Sequence, residues 1–360
     1  MLKILLALTV LSHTIPGNVS LNGSYWRHLS DLRHSWNPGA PVSKIVWKIY
    51  YDRAETLAAR GDHEGAEDLL ESALEHVRHL PELDERRVKT IDLLAAQSKA
   101  RGEDVDAPQI VAFMQMQRFH GEKHVYPGAP GPSKSGHLAV EAKIREADFL
   151  VGEGEQPKSE RLYISALRDV AARPAGNELI TVKLVDRLCR LYYRQGRYKE
   201  GEELVLKQLK KHESMYEQMD PTDPEKLHVA FLLSDLGLLD CGMDRLYEAE
   251  ALYDAALPVM ALHTKENAAD YIVTLGALAR VHKFMGRLDQ AERDYRKALY
   301  MADKDEGISR LSVGTIMSNY ADLLEKMGKE ARAQKMRERA RKTMGNAAPP
   351  EKVAGKKTGS

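Results

Sequence analysis

His120 and His124 stand four residues apart in HGEKH. On a helix that spacing would turn both imidazoles toward one metal ion. No third ligand falls at a useful distance along the chain, and Gly121 weakens the helix. His76 and His79, beside Glu75, raise the same question; histidines on a solvated helical face are the simpler reading. The stretch GAPGPSKS from Gly128 echoes a phosphate-binding loop. It departs from that motif where it matters: Ser133 rather than glycine precedes Lys134, two prolines remove amide donors, and no strand leads into it. No G-x-S-x-G, H-E-x-x-H or C-x-x-C occurs anywhere. The many carboxylates suit solvated helix faces and i,i+4 ion pairs. The expectation is therefore a protein that is not an enzyme and holds neither cofactor nor metal. A metal-binding protein or enzyme using His120 and His124 is the weakest alternative.

The chain has 360 residues, a formal net charge of +0, 43% hydrophobic and 29% charged residues, a mix that suits folded protein rather than a disordered chain. Balanced charge argues against a dedicated nucleic-acid binder. With only 5 Phe and 3 Trp, the core must come from Leu, Ala, Tyr and Met. Cys189 and Cys241 are too few for a disulfide framework and read as small core thiols, with one bridge conceivable only in an exported chain.

Residues 1–17, MLKILLALTVLSHTIPG, carry a basic Lys3 and an apolar run from Ile4 to Leu11, which fits a secretory signal peptide and is too short to cross a bilayer. The expectation is export to a periplasm or the exterior, and a cytoplasmic protein if the signal is not real. No other stretch is apolar enough for a stable membrane span. Sequons at Asn18 and Asn22 matter only in a secreted eukaryotic protein. Residues 18–40 are polar, 41–119 read as an N-terminal pair of helical units, and 120–139 as a loop holding YPGAPGPSKSG. An array of units fills 140–343, and the apolar-poor 344–360 reads as a disordered tail.

What organises the helices is a period. GRLDQAERDYRKAL from Gly286 has counterparts that start at Gly61, Gly102, Gly154, Gly196, Asp244 and Gly328, and three of the six intervals are 42 residues. An apolar stripe at spacings of three and four precedes each of the clearer copies: Val185, Leu188, Cys189 and Tyr192; Leu233, Leu236 and Gly237; Leu275, Leu278, Ala279 and His282; Met317, Tyr320, Ala321 and Leu324. A second stripe follows the turn, as in Ala291, Tyr295, Ala298 and Leu299. Each unit is thus helix, turn, helix. Small residues let the paired helices approach, Tyr253 and Tyr295 fill the gaps between units, and glycine supplies a left-handed closing residue.

This pattern resembles the tetratricopeptide repeat, in the longer 42-residue variety of kinesin light chains and their bacterial relatives. DPEKLHVAFLLSDLG and ENAADYIVTLGALARVHKFMGRLDQAERDYRKAL carry the resemblance most clearly. It is strong over 180–343 and good over 47–80, while the family's first-helix tryptophan is missing from every copy. The resemblance implies an all-α, right-handed superhelical solenoid of about seven helix pairs, each stacking on its neighbours and ending in a polar cap near 330–343.

It also implies a protein- or peptide-binding scaffold whose first helices line the concave side. By helical spacing, the exposed positions there are Arg145 and Asp148; Asp186, Arg190, Tyr193 and Arg194; Ser234 and Leu238; Arg280, Lys283 and Phe284; and Asn319 and Asp322. Related repeats often use Asn at the place of Asn319 to hold a ligand backbone. Basic members outnumber acidic ones, so the expected partner is an acidic protein or peptide segment held by arginine and packed on Tyr193 or Phe284. A structural homo-oligomer built from such arrays is the alternative.

Overall fold

The computed structural model describes residues 42–345 apart from 78–79, 81–83, 103–136, 173–177, 215 and 306. His79, His120, His124, the Gly128 loop, the N-terminal apolar run and the tail from 346 lie outside the described residues. Those described form thirteen α-helices, a short 3-10 turn at Tyr216–Gln218 and no strand. The helices are α1 (Lys44–Ala59), α2 (His63–Val77), α3 (Glu85–Ala100), α4 (His137–Gly152), α5 (Gln156–Ala171), α6 (Glu178–Gln195) and α7 (Tyr198–Leu209). They continue as α8 (Pro224–Gly242), α9 (Leu246–Leu262), α10 (Thr264–Phe284), α11 (Leu288–Ala302), α12 (Arg310–Lys326) and α13 (Glu330–Met344).

Local chemistry sets the ends. Ser43, Asp84, Asp223 and Ser309 accept a backbone N–H in the first turn of α1, α3, α8 and α12, and Pro224 follows its cap at the first helical position. All seven turns marked by the sequence period close on a left-handed residue: Gly61, Gly102, Gly154, Gly196, Gly286, Gly328 and the one non-glycine, Asp244 at φ 65°.

From α4 onward the expected stacking holds. The second helix of each pair packs on the first helix of the next, and α6, α8, α10 and α12 pack on one another in turn. The predicted stripes are all buried, including His282 at 1% exposure. Tyr295 stacks on Tyr320 of the next unit at 5.7 Å between ring centroids. Cys189 and Cys241 are free, buried thiols. On α13 only Ala333 and Ala340 are buried, which makes it a polar end to the stack. No described helix is long and apolar enough to cross a membrane.

Gly237 shows why small residues recur on these faces. A Cβ there would meet the Tyr253 ring at 3.0 Å. Replacing a mid-helix glycine gains about 1 kcal/mol of helix propensity. Overpacking a rigid buried ring costs about 1–3 kcal/mol. Gly237→Val adds branching as well as the contact, so its melting temperature is expected to fall, as followed by helical circular dichroism; an unchanged or higher value would contradict this packing.

The first three helices depart from the expected nearest-neighbour order. α1, α2 and α3 pack together, but α1 and α2 also pack on α9. The Tyr50 hydroxyl donates to Asp240 Oδ2 at 2.9 Å across 190 residues of sequence, and Ser72 Oγ donates to Glu248 at 2.6 Å. Arg53 pairs with Glu250 at 2.9 Å and with Asp254 at 3.2 Å. Gly65 lies against Tyr247 so closely that a Cβ would be 2.4 Å from its ring. The backbone N–H of Lys44 reaches Glu213. The reason is visible in α9, LYEAEALYDAALPVMAL, which has no continuous polar side. A helix apolar all round must be covered on both sides. His76 belongs to this packing and not to a solvated face: it accepts the Ser43 N–H and its ring lies 5.9 Å from that of Tyr50.

Candidate functional site

The first helices α4, α6, α8, α10 and α12 carry every residue expected on the binding face. Their side chains fall into two groups. One group is consumed internally. Asp148 is held bidentately by Arg187, at 2.8 and 3.1 Å, and accepts the Tyr163 hydroxyl at 2.5 Å. Asp186 pairs with Arg190 at 2.6 Å, one turn further along α6. Ser234 bonds Thr274 across α8 and α10, and Leu238 is half-buried. Asp322 pairs with Arg337 of α13 at 3.2 Å. Arg190 therefore meets solvent already neutralised, with buried Asp235 and the nearby Asp270 adding to its negative surroundings.

The other group is basic or neutral. Arg145 and Arg194 are exposed, and Asn319 is partly exposed. Arg280 and Lys283 are half-buried on α10. Among the described residues none of these four cations makes a carboxylate ion pair. Of the residues expected on the face, Asp148, Asp186 and Asp322 are paired internally and the four unpaired charges are positive, while Asp235 and Asp270 add acid beside Arg190.

Arg280 is the most distinctive. Its Nη1 donates to the Tyr193 hydroxyl at 3.0 Å, and its guanidinium sits 5.4 Å from the centre of that ring. This joins α6 to α10 across the intervening α8. The Cys241 thiol lies beside it, and Tyr253 and Tyr295 are close by. Its Nε is buried without an acceptor. A guanidinium removed from water without a counter-ion costs several kcal/mol. Next to it, burial pulls the Lys283 ammonium below its ordinary range, against the attraction of Asp322, and Arg280 and Lys326 repel it further. Phe284, 52% exposed, closes the patch with Lys283 Nζ 5.2 Å from its ring centre.

No group of three or more His, Cys, Asp or Glu among the described residues is arranged to hold a metal ion. The hydroxyls of half-buried Tyr193 and of buried Tyr253 and Tyr295 are pushed upward, chiefly by burial, so they stay neutral. The arrangement can present a fixed guanidinium, a nearby ammonium and two aromatic walls. The structure brings Arg280 against Tyr193 and Lys283 against Phe284. Sequence spacing did not foresee that Arg190 and Asp186 cancel, because an i,i+4 pair and two separate contacts look alike in one dimension.

Residues 228–304 and 270–344 match the tetratricopeptide repeat family, and 49–72 match it separately. The chain carries tetratricopeptide repeats. No curated protein matches it in sequence. Among solved structures it is similar to BtubC (BKLC) from P. vanneervenii, at 21% identity and a TM-score of 0.44 over 61% of this chain and 86% of that one. It is also similar to the Rap conjugation gene regulator of plasmid pLS20 in complex with the Phr* peptide, at 15% identity and a TM-score of 0.45 over 83% of this chain and 74% of that one. A third likeness is MamA of AMB-1, at 16% identity and a TM-score of 0.28 over 59% of this chain and 96% of that one. The tetratricopeptide match at 228–344 includes α10 and α12, so Arg280, Lys283 and Phe284 sit on first helices of recognised repeats.

Proposed function

We propose that this protein is a non-enzymatic scaffold that binds protein or peptide segments on the concave face of its repeats, and that the segment is acidic. A carboxylate of the partner would meet Arg280, with Lys283 adding charge and Tyr193 and Phe284 offering apolar walls. The observation that carries this reading is the pairing pattern: Asp148, Asp186 and Asp322 have internal cations, whereas Arg280 has a buried, unsatisfied Nε and no carboxylate. A bound anion would supply that missing counter-ion through charge-assisted hydrogen bonds. The match of 228–344 to tetratricopeptide repeats supports the coarser part, since stacked rigid helices can sum small contacts along an extended guest.

Fluorescein-labelled ten-residue peptides of fixed apolar content, graded from Glu-rich to Lys-rich, test the charge preference by anisotropy. Affinity is expected to rise with glutamate content and to weaken with added salt. Equal or tighter binding of the Lys-rich peptides would sink the acidic assignment.

A further inference from the structure

We propose that the seating of α1 and α2 on α9 is a proton-dependent latch, closed in acid and loosened as pH rises past neutral. The inference is independent of what the concave face binds.

The seam between the two parts is rich in acid, buried or half-buried. α2 brings the buried Glu67 and Glu71 and the half-buried Asp68 and Glu75. Opposite them α9 brings Glu248, α8 brings Asp240 and α7 brings Glu202. Glu71 is 7% exposed, Glu248 5% and Asp240 0%. Few cations among the described residues reach this region. Arg245, just before α9, is shared between Asp240 and Glu202. Arg101, just after α3, is taken by Glu67 at 2.5 Å. Arg53 of α1 and Arg287 at the start of α11 both turn to Glu250 at the far edge, where His282 of α10 also bonds it. His76 lies at the opposite end, under Ser43 and Tyr50. In the middle, Glu71 and Glu248 make no ion pair among the described residues; Glu248 accepts one hydrogen bond, from Ser72.

Two carboxyl groups in that position favour their neutral form. Burial pushes Glu71 up, reinforced by Glu67 and Asp68. Burial likewise pushes Glu248 up to about 7, against the pull of Arg245. Asp240 is raised by burial, again opposed by Arg245. Release of the latch returns these groups to water and to the ordinary carboxylate range. A carboxyl whose affinity for protons is higher when seated makes seating tightest below its released value, and that advantage is lost as pH climbs through the seated value. For Glu248 alone the seating constant should fall roughly fiftyfold between about pH 5 and about pH 8. Glu250 does not oppose this, since His282, Arg53 and Arg287 outweigh its burial and hold it at about 2, below the window. His282, raised by Asp294 and Glu250 against its own burial, has both partners on α11 and α9 and keeps them when α1 and α2 leave.

Donor and acceptor dyes on Glu64→Cys and Asp289→Cys, both exposed positions on α2 and α11, report the separation. The buried Cys189 and Cys241 stay unlabelled. The near population is expected to dominate at pH 5 and to shrink at least tenfold relative to the far one by pH 8, with far-ultraviolet helicity unchanged. Glu248→Gln and Glu71→Gln, neutral at every pH, should each flatten the response. A separation that does not change with pH overturns the proposal. So does a response that both glutamine variants retain, or one that only accompanies loss of helicity.

Discussion

Replacing Arg280 by alanine is expected to weaken binding of a Glu-rich peptide by about 10- to 100-fold while leaving the protein as stable as before, or more so. The affinity figure follows from losing a charged hydrogen-bond donor, about 1.5–3 kcal/mol, with each 1.4 kcal/mol worth a factor of ten. The stability half follows from the environment. Arg280 is held among Tyr193, Cys241, Tyr253 and Tyr295 with its Nε unsatisfied, so the fold gains little from it and pays desolvation for it. A side chain that serves a ligand rather than the scaffold should behave in this way. Arg280→Lys should recover only part of the affinity, because an ammonium lacks the two-pronged geometry of the guanidinium. Arg190→Ala should change binding less than about threefold, since Asp186 already neutralises that group. Anisotropy gives the affinities and thermal denaturation the stability. Unchanged peptide affinity in Arg280→Ala, or a clear drop in its melting temperature, would assign Arg280 to the core and not to a binding face.

The largest stability loss is expected at Glu250→Ala. Glu250 is 2% exposed and meets Arg53 at 2.9 Å, Arg287 at 2.6 Å and His282 at 3.2 Å. Removing it leaves Arg287 without its carboxylate and Arg53 with only the exposed Asp254. Breaking a buried charge network from one side costs about 3–5 kcal/mol. A urea titration should show the midpoint fall well below that of Glu330→Ala, a surface control at the start of α13. A shift no larger than the control's would mean that water already screens the network. Its pH dependence has two limits. Glu250 is lowered to about 2, so its contribution is complete above the ordinary carboxylate range and is lost as pH falls toward that value. His282 is raised, so its contribution is complete below about pH 6.5 and is lost as pH climbs through its elevated value. The wild-type advantage over Glu250→Ala should therefore peak between about pH 5 and about pH 6.5.

The helical period, its turns and the inward stripe of each helix were legible in the residues. Gly61, Gly196, Gly286 and Gly328 mark their turns because a left-handed residue ends the first helix, and that requirement is local. Leu275, Leu278 and Ala279 declare their side of α10 because spacing along one helix fixes direction. Of the candidate face, the positions of Tyr193, Arg280 and Phe284 along their helices were legible. Which charges stay free was not, since Arg187 finds Asp148 across 39 residues and Arg337 finds Asp322 across 15.

A clue to the N-terminal docking was present. α11, LDQAERDYRKALYMA, sets Arg293, Arg296 and Lys297 toward water, whereas α9 has Ala251, Asp254 and Ala255 at the corresponding positions, two of the three apolar. That contrast says α9 must be covered, but not by what. Sequence determined each helix, its partner and its turn, because hydrophobic periodicity and backbone conformation act over a few residues. Only the tertiary structure decided that α1 and α2 cover α9 and that Arg280 is left without a carboxylate, because burial and ion pairing depend on which distant segments share the same space.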